Sequence, residues 1–211
     1  HWLTSINPLQ MLKATAGNIR ESLAFTGEVA TALARLVVGK ANTRYADFRA
    51  FCYQSGPDAF AIISLISVLV GMILGYLGAV QLQQFGAGIY VADLVVIGTL
   101  REMGALMTAV VMAGRTGAAY AAQLGTMQTN EEIDAIVTLG ISPIEFLVVP
   151  RMLALVVMMP LLTIYADVLG ILGGALVAGG MGITPLQYFN QASAAVEINH
   201  IMVGLIKSVT F

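Results

Sequence analysis

The sequence predicts an all-α membrane protein. An N-terminal amphipathic helix lies in the membrane interface, and a polytopic helix bundle follows, with a short cytoplasmic helix between two of its spans. Three observations predict this. Of the 211 residues 58% are hydrophobic and only 10% charged, with mean hydropathy +0.84, the composition of a lipid-facing chain rather than a water-soluble core. Apolar runs of span length recur along the chain. The basic residues are unevenly placed, six of the ten Lys and Arg preceding the first such run.

The elements follow in order. Over residues 8–38, Leu9, Leu12, Ala16, Ile19, Leu23, Thr26, Ala30, Leu33 and Val37 form a heptad-like stripe. Lys13, Arg20, Arg35 and Lys40 flank it, so that long aliphatic stems can snorkel to water. A basic amphipathic helix of this kind lies in the interface. A coiled-coil seam is the alternative, weakened by the Ala and Thr positions and by the span that follows. Residues 40–57 read as a connector, and Gly56-Pro57-Asp58 as a helix start. The expected division is 1–57 as interfacial helix and connector and 58–211 as the membrane domain.

The first span covers 59–80, 22 residues without a charge. Gly71 and Gly75 give it a GxxxG packing face. A polar turn at 81–90 leads to a second span over 92–126, longer than the bilayer requires and so tilted, kinked or protruding. Ala105, Ala109, Ala113, Gly117, Ala121 and Gly125 recur every four residues along it, a small-residue ridge suited to close helix approach. The same span carries Arg101, Glu102 and Arg115. A charge at mid-bilayer costs about 3 kcal/mol, so it faces a partner, a cavity or water. Arg101 and Glu102 lie roughly 12 Å along the span. They read either as structural residues, paired with each other or with neighbouring helices, or as the lining of a cavity for a polar or amphiphilic substrate.

After this span, Thr129 and Glu132 predict a capping box, and Gly140 with Pro143 predicts the stop of a short helix. Ile133, Ile136 and Val137 form its apolar face and Glu131, Glu132 and Asp134 its acidic one, with no Lys or Arg from Gln128 to Val149. Such a helix is a solvated loop element or a docking surface. The third span begins near Pro150-Arg151, contains Pro160 as an expected kink, and ends at Gly179-Gly180. Asp167 is its buried acid, with a structural hydrogen-bonding role or a transport role. Thr184-Pro185 opens a short helix whose face is expected at Leu186, Phe189 and Ala192. A fourth span starts near Ile198 and is cut at Phe211. With His1 at the start, the chain is expected to be incomplete at both ends. The positive-inside rule places the N-terminus in the cytoplasm. Counting spans then puts 127–149 on the same side, and Arg101 and Glu102 in the outer half.

Several function classes are excluded on composition. No basic tract suggests nucleic acid. Cys52 is the single cysteine, and His1 and His200 are far apart, so no metal-ligand spacing is present. No phosphate-binding loop of the G-x-x-x-x-G-K-[ST] type occurs. If ATP drives this protein, another chain binds it.

The run REMG…AGRTGAAYAAQLGTM…EEIDAIVTLGISP closely resembles the MlaE permease family, membrane subunits of ABC transporters that move phospholipids with MCE-domain proteins. The resemblance extends roughly from Gly39 to Phe211. It implies a homodimer in the bacterial inner membrane, with about five spans in a full chain besides the interfacial helix. It implies cytoplasmic ATPase subunits docked on a coupling helix at 129–140, a periplasmic MCE protein, a small STAS-type accessory protein, and no cofactor in this chain. By similarity, Leu74, Leu82 and Phe85 meet acyl chains and Arg101 and Glu102 the headgroup. Glu131, Glu132, Ile133 and Asp134 contact the ATPase, and Arg115 and Gly117 are structural, Arg115 holding the span pair together. The chain departs from the family pattern at Ala105, Gln123, Gln128 and Ser142, which puts the local kink, the partner of Arg115 and the details of docking in question. A rival reading is a stand-alone secondary transporter using Arg101, Glu102 and Asp167, although no inverted repeat is visible.

Overall fold

The computed structural model describes residues 8–37 and 45–211, and every element it contains is helical. Helix α1 (Pro8–Val37) packs on a turn at 144–148 and on the start of the third span, with Val29 and Ala32 buried. Ile19, Leu23 and Thr26 of the expected stripe face outward. That leaves an apolar strip open, as a helix lying in an interface requires. The side chains of Leu9, Leu12, Ala16 and Val37 lie outside the described set.

Helix α2 (Tyr45–Gln83) is continuous. The expected connector is therefore largely helical, and Gly56-Pro57-Asp58 does not start a helix, although the segment of span length begins directly after it at Ala59. Gly56 is buried, and Met158 packs directly against it.

The second span is one helical path with two wide turns. It runs through a short 3-10 turn (Gly88–Tyr90), α3 (Val91–Gly98), a π-turn (Thr99–Met103), α4 (Gly104–Val111), a second π-turn (Met112–Gly117) and α5 (Ala118–Thr129). A π-turn inserts one residue and rotates everything beyond it by about 100°. The small-residue ridge is consequently not carried on one uninterrupted helix, although Ala109, Ala113 and Gly117 border a single cavity. Ala105 is buried and Ala109 half-buried, but Ala113, Ala121 and Gly125 are exposed.

Helix α6 (Glu132–Thr138) follows a tight turn. A third π-turn (Ile144–Val148) then leads into α7 (Val149–Gly180), which continues through Pro160. Pro150 has no N–H to donate, which accounts for the widened turn before it. Helices α8 (Pro185–Ala195) and α9 (Ile198–Thr210) complete the chain. Among the described residues, 59–83, 88–129 and 144–180 are long and apolar enough to cross a membrane, matching the three complete spans read from the sequence.

Helices α2 and α7 run parallel and approach through glycine. Gly71 packs on the backbone of Gly170, Gly75 lies opposite Gly174, and Gly173 meets the backbone of Val68. Ser64 Oγ and Tyr165 Oη share a hydrogen bond of 2.7 Å along the same seam. The second span packs antiparallel against both, burying Val111 and Met112 with Ile63, Met159 and Leu162. Toward the other end, Tyr188 of α8 is buried with Ala92, Val96 and Ala178.

The α8 start is as expected. Thr184 and Gln187 form a reciprocal capping box. Its buried face is not, because Tyr188 and Ala192 turn inward while Leu186 and Phe189 are exposed. Tyr188 Oη donates to Ile171 O at 3.2 Å, a partner that lets a large polar ring enter the core where Leu186 would leave that carbonyl unfilled. Burial pushes the Tyr188 phenol up to about 12, so it stays a donor.

Candidate functional site

Three of the four charged residues of the second span sit in its two π-turns, Arg101 and Glu102 in the first and Arg115 in the second, while Asp93 lies in α3 and accepts from Gln191 Nε2. Such turns free main-chain carbonyls from regular i−4 bonding and recur at functional sites. In the first, the Gly104 N–H reaches back five residues to Thr99 O. Helix α9 docks on the opened side. Gly204 packs against Leu100 O, close enough that no side chain fits between them. Lys207 Nζ then donates to Arg101 O at 3.1 Å and pairs with Glu102 Oε1 at 2.6 Å.

Arg101 and Glu102 are thus not paired with each other. Lys207 is the partner of Glu102, and it ties the last described helix to the π-turn. The Arg101 guanidinium is exposed and forms no ion pair among the described residues. The arrangement therefore presents an exposed guanidinium beside a Glu102–Lys207 pair, within a segment of span length.

Leu74 and Leu82 pack against the cluster of Ala79, Val91 and Val95. Gly98, three residues before Arg101, contacts Leu74. Phe85 stands off that cluster at the tip of the turn, 80% exposed. Arg115 is exposed and Gly117 half-buried, and no ion pair holds Arg115 to a neighbouring helix among the described residues. Asp167 is buried against Gly104. No hydrogen bond joins it to Arg101 or Glu102 among the described residues.

The acidic helix departs from its expected start. Thr129 remains in α5, its hydroxyl donating to Thr126 O at 2.9 Å, and no side-chain cap forms. A cap needs extended backbone, whereas α5 continues helically through Thr129. The reversal is made by Glu131, with φ of 58°, in the left-handed region that disfavours non-glycine residues. The end is as expected. Gly140 has φ of 73°, its N–H bonds Val137 O, and the Ile141 N–H bonds Ile136 O, the paired bonds of a Schellman stop.

Helix α6 packs on α5. Glu131, Glu132 and Asp134 are exposed, Ile133 and Ile136 half-buried, and Val137 and Leu139 open to solvent, Leu139 at 75%. It presents a compact acidic and apolar knob at the junction of two spans.

Two braces at the base of this knob were not found from sequence. Arg151, 7% exposed, places its guanidinium 4.7 Å from the Phe51 ring centroid and 5.6 Å from that of Tyr120, and donates to Leu147 O. Arg35 of α1 pairs with Glu145 at 2.9 Å. Both chain segments flanking the knob are held, α5 through Tyr120 and the 144–148 turn through Glu145. The signal for Lys207 was present, since an ionisable residue in an apolar helix calls for a named partner. The braces join residues 31 to 110 positions apart, with no periodicity to reveal them.

Residues 48–211 match the family described as Permease MlaE. The chain is 34% identical over 158 residues to the intermembrane phospholipid transport system permease protein MlaE of Haemophilus influenzae, covering 74% of this chain and 60% of that protein. It is 33% identical over 157 residues to a probable ABC transporter permease protein of Synechocystis, covering 74% and 60%. It is 31% identical over 159 residues to the chloroplastic protein TRIGALACTOSYLDIACYLGLYCEROL 1 of Arabidopsis thaliana, covering 75% and 45%. The chain spans about 60% of the length of the bacterial relatives it matches.

Proposed function

The chain belongs to the MlaE permease family, and from that premise we propose that it is the membrane subunit of an ATP-driven phospholipid transporter in the bacterial inner membrane. The observation that carries this reading is the first π-turn. It holds Arg101, in no ion pair among the described residues, and a Glu102–Lys207 pair inside a segment of span length. A fixed cation at that depth suits an anionic headgroup, and the apolar surface at Leu74 and Leu82, with Phe85 beyond it, suits acyl chains.

Two copies would enclose the lipid between them. The ATPase is a separate chain, and the α6 knob is its docking surface. Exposed acids and exposed Val137 and Leu139 on a helix that packs on α5 support that role. A push on α6 would pass to α5 directly, and to α2 and α7 through the Arg151 contacts with Phe51 and Tyr120. The π-turns are the places where the second span can change register, and the site rides on the first of them. Such a transition between two packed arrangements is how a small displacement becomes a large one. An MCE protein on the outer side and a small STAS-type protein on the inner side complete the assembly.

Native mass spectrometry of the full-length protein, extracted gently from its host membrane, tests this. Co-purification of an ATPase and an MCE subunit with bound phospholipid is expected. A lipid-free chain recovered without an ATPase would overturn the assignment.

A further inference from the structure

Asp167 lies outside this machinery and is 6% exposed. It sits on α7 opposite Gly104, whose missing side chain makes the room its carboxylate occupies. Its Oδ1 has no hydrogen-bond partner. One turn away along the same antiparallel pair, Thr163 of α7 and Thr108 of α4 are completely buried, and their hydroxyls also lack partners. This is unusual for the chain. Thr26, Thr99 and Thr126 all return their hydroxyls to a carbonyl one turn back. Three buried oxygens without a protein partner therefore share one seam between α4 and α7.

An ionised carboxylate in such a place is strongly disfavoured unless a cation or several donors face it. The neighbours supply none. The described part of α2 has no charged residue from 59 to 83 and presents Ser67 as its buried polar group. On the second span, Arg101 and Glu102 are exposed, and α9 commits Lys207 to Glu102. His200 lies near the start of α9, next to Glu197. Arg151, at the far end of α7, is engaged with Phe51 and Tyr120. The nearby cavity lined by Ser67, Thr99, Gly104, Ala166 and Gly170 measures about 10 Å³, barely one water and too small for a hydrated cation.

We propose that the α4–α7 seam is an intramembrane proton site, in which Asp167 is held as the neutral acid beside Thr108 and Thr163. A neutral carboxyl both donates and accepts, as does each hydroxyl. A small slide of α4 on α7 would let the three satisfy one another without any charge. This goes beyond the transport reading and does not depend on it.

The test is infrared difference spectroscopy on the full-length permease in native lipid at neutral pH, comparing wild type with Asp167→Asn. A protonated-carboxyl carbonyl band present in wild type and lost in Asp167→Asn is the expected result. Absence of that band in wild type, or its removal by added sodium, overturns the proposal, the latter in favour of a cation site. Thermal midpoints give a second readout. Asp167→Asn has the shape and donor of the neutral acid and is expected to match wild type, with Asp167→Ala falling below both. Asp167→Asn falling as far as Asp167→Ala would mean that the negative charge itself is required.

Discussion

Lys207 Nζ lies 2.6 Å from Glu102 Oε1 and 3.1 Å from Arg101 O, so one ammonium joins a side chain and a freed main-chain carbonyl of the same π-turn. Lys207→Gln retains a donor for the carbonyl and loses the pair, and Glu102→Gln loses the pair alone. Both are expected to fold and to transfer phospholipid more slowly in a reconstituted system. The exchange Glu102→Lys with Lys207→Glu restores opposite charges, but a carboxylate cannot donate to Arg101 O, so its rescue should be partial. Transfer at the wild-type rate in all of these would assign the pair a purely structural role.

The glycine contacts between α2 and α7 predict a steep positional contrast. Gly173→Leu drives a side chain into the Val68 backbone, whereas Gly114 has open space around it. Overpacking of this kind costs about 1–3 kcal/mol, and more where backbone must move. The thermal midpoint in detergent should fall sharply for Gly173→Leu and stay near wild type for Gly114→Ala. Equal responses would mean that the parallel α2–α7 approach is looser than described.

What was legible in the sequence, and what was not, divides along physical lines. Apolar runs of span length and the stop at Gly140 are local signals, and they fell where expected. The false capping box at Thr129 shows the limit of a local motif. Its residues were right, but α5 had no reason to end there, and Glu131 took up the reversal instead. The small ridge is interrupted for a different cause. A strict four-residue rule assumes an unbroken helix, and the π-turn at 112–117 shifts the register within it. Lys207 and Arg151 stood out as charges in apolar helices, yet their partners come from packing at long range. Glu102 is marked as a charge that needs a partner, but nothing local points to Lys207, and Phe51 carries no mark at all.

The Arg151 contacts predict a test of that long-range packing. The guanidinium is desolvated between Phe51 and Tyr120, where a cation–π contact is worth about 2 kcal/mol. Arg151→Met keeps the bulk and loses the cation, and the permease should lose roughly that stability, read as a lowered thermal midpoint. Arg151→Lys should not restore it, because an ammonium lacks the flat face that stacks between two rings. A lysine variant with the wild-type midpoint would reduce the contact to simple charge.

The α6 knob predicts a separation of fold from docking. It packs on α5, so changes on its outer surface should leave the midpoint of the permease untouched while removing the ATPase. In interfaces, exposed apolar residues that become buried carry more of the energy than rim charges. Leu139→Asp is therefore expected to lose more ATPase in pull-down than Glu132→Lys. Glu131 is a special case, because it supplies both a charge and a left-handed backbone. Glu131→Gly relieves the backbone cost, about 1–2 kcal/mol for a non-glycine residue, and removes the charge. If the turn is what matters, this variant should bind the ATPase at least as well as wild type, and a Glu131→Gln variant should do the same. Loss of the ATPase in both variants would place Glu131 in direct contact with the partner. Recovery unchanged across Leu139→Asp and Glu132→Lys would mean that the ATPase docks elsewhere.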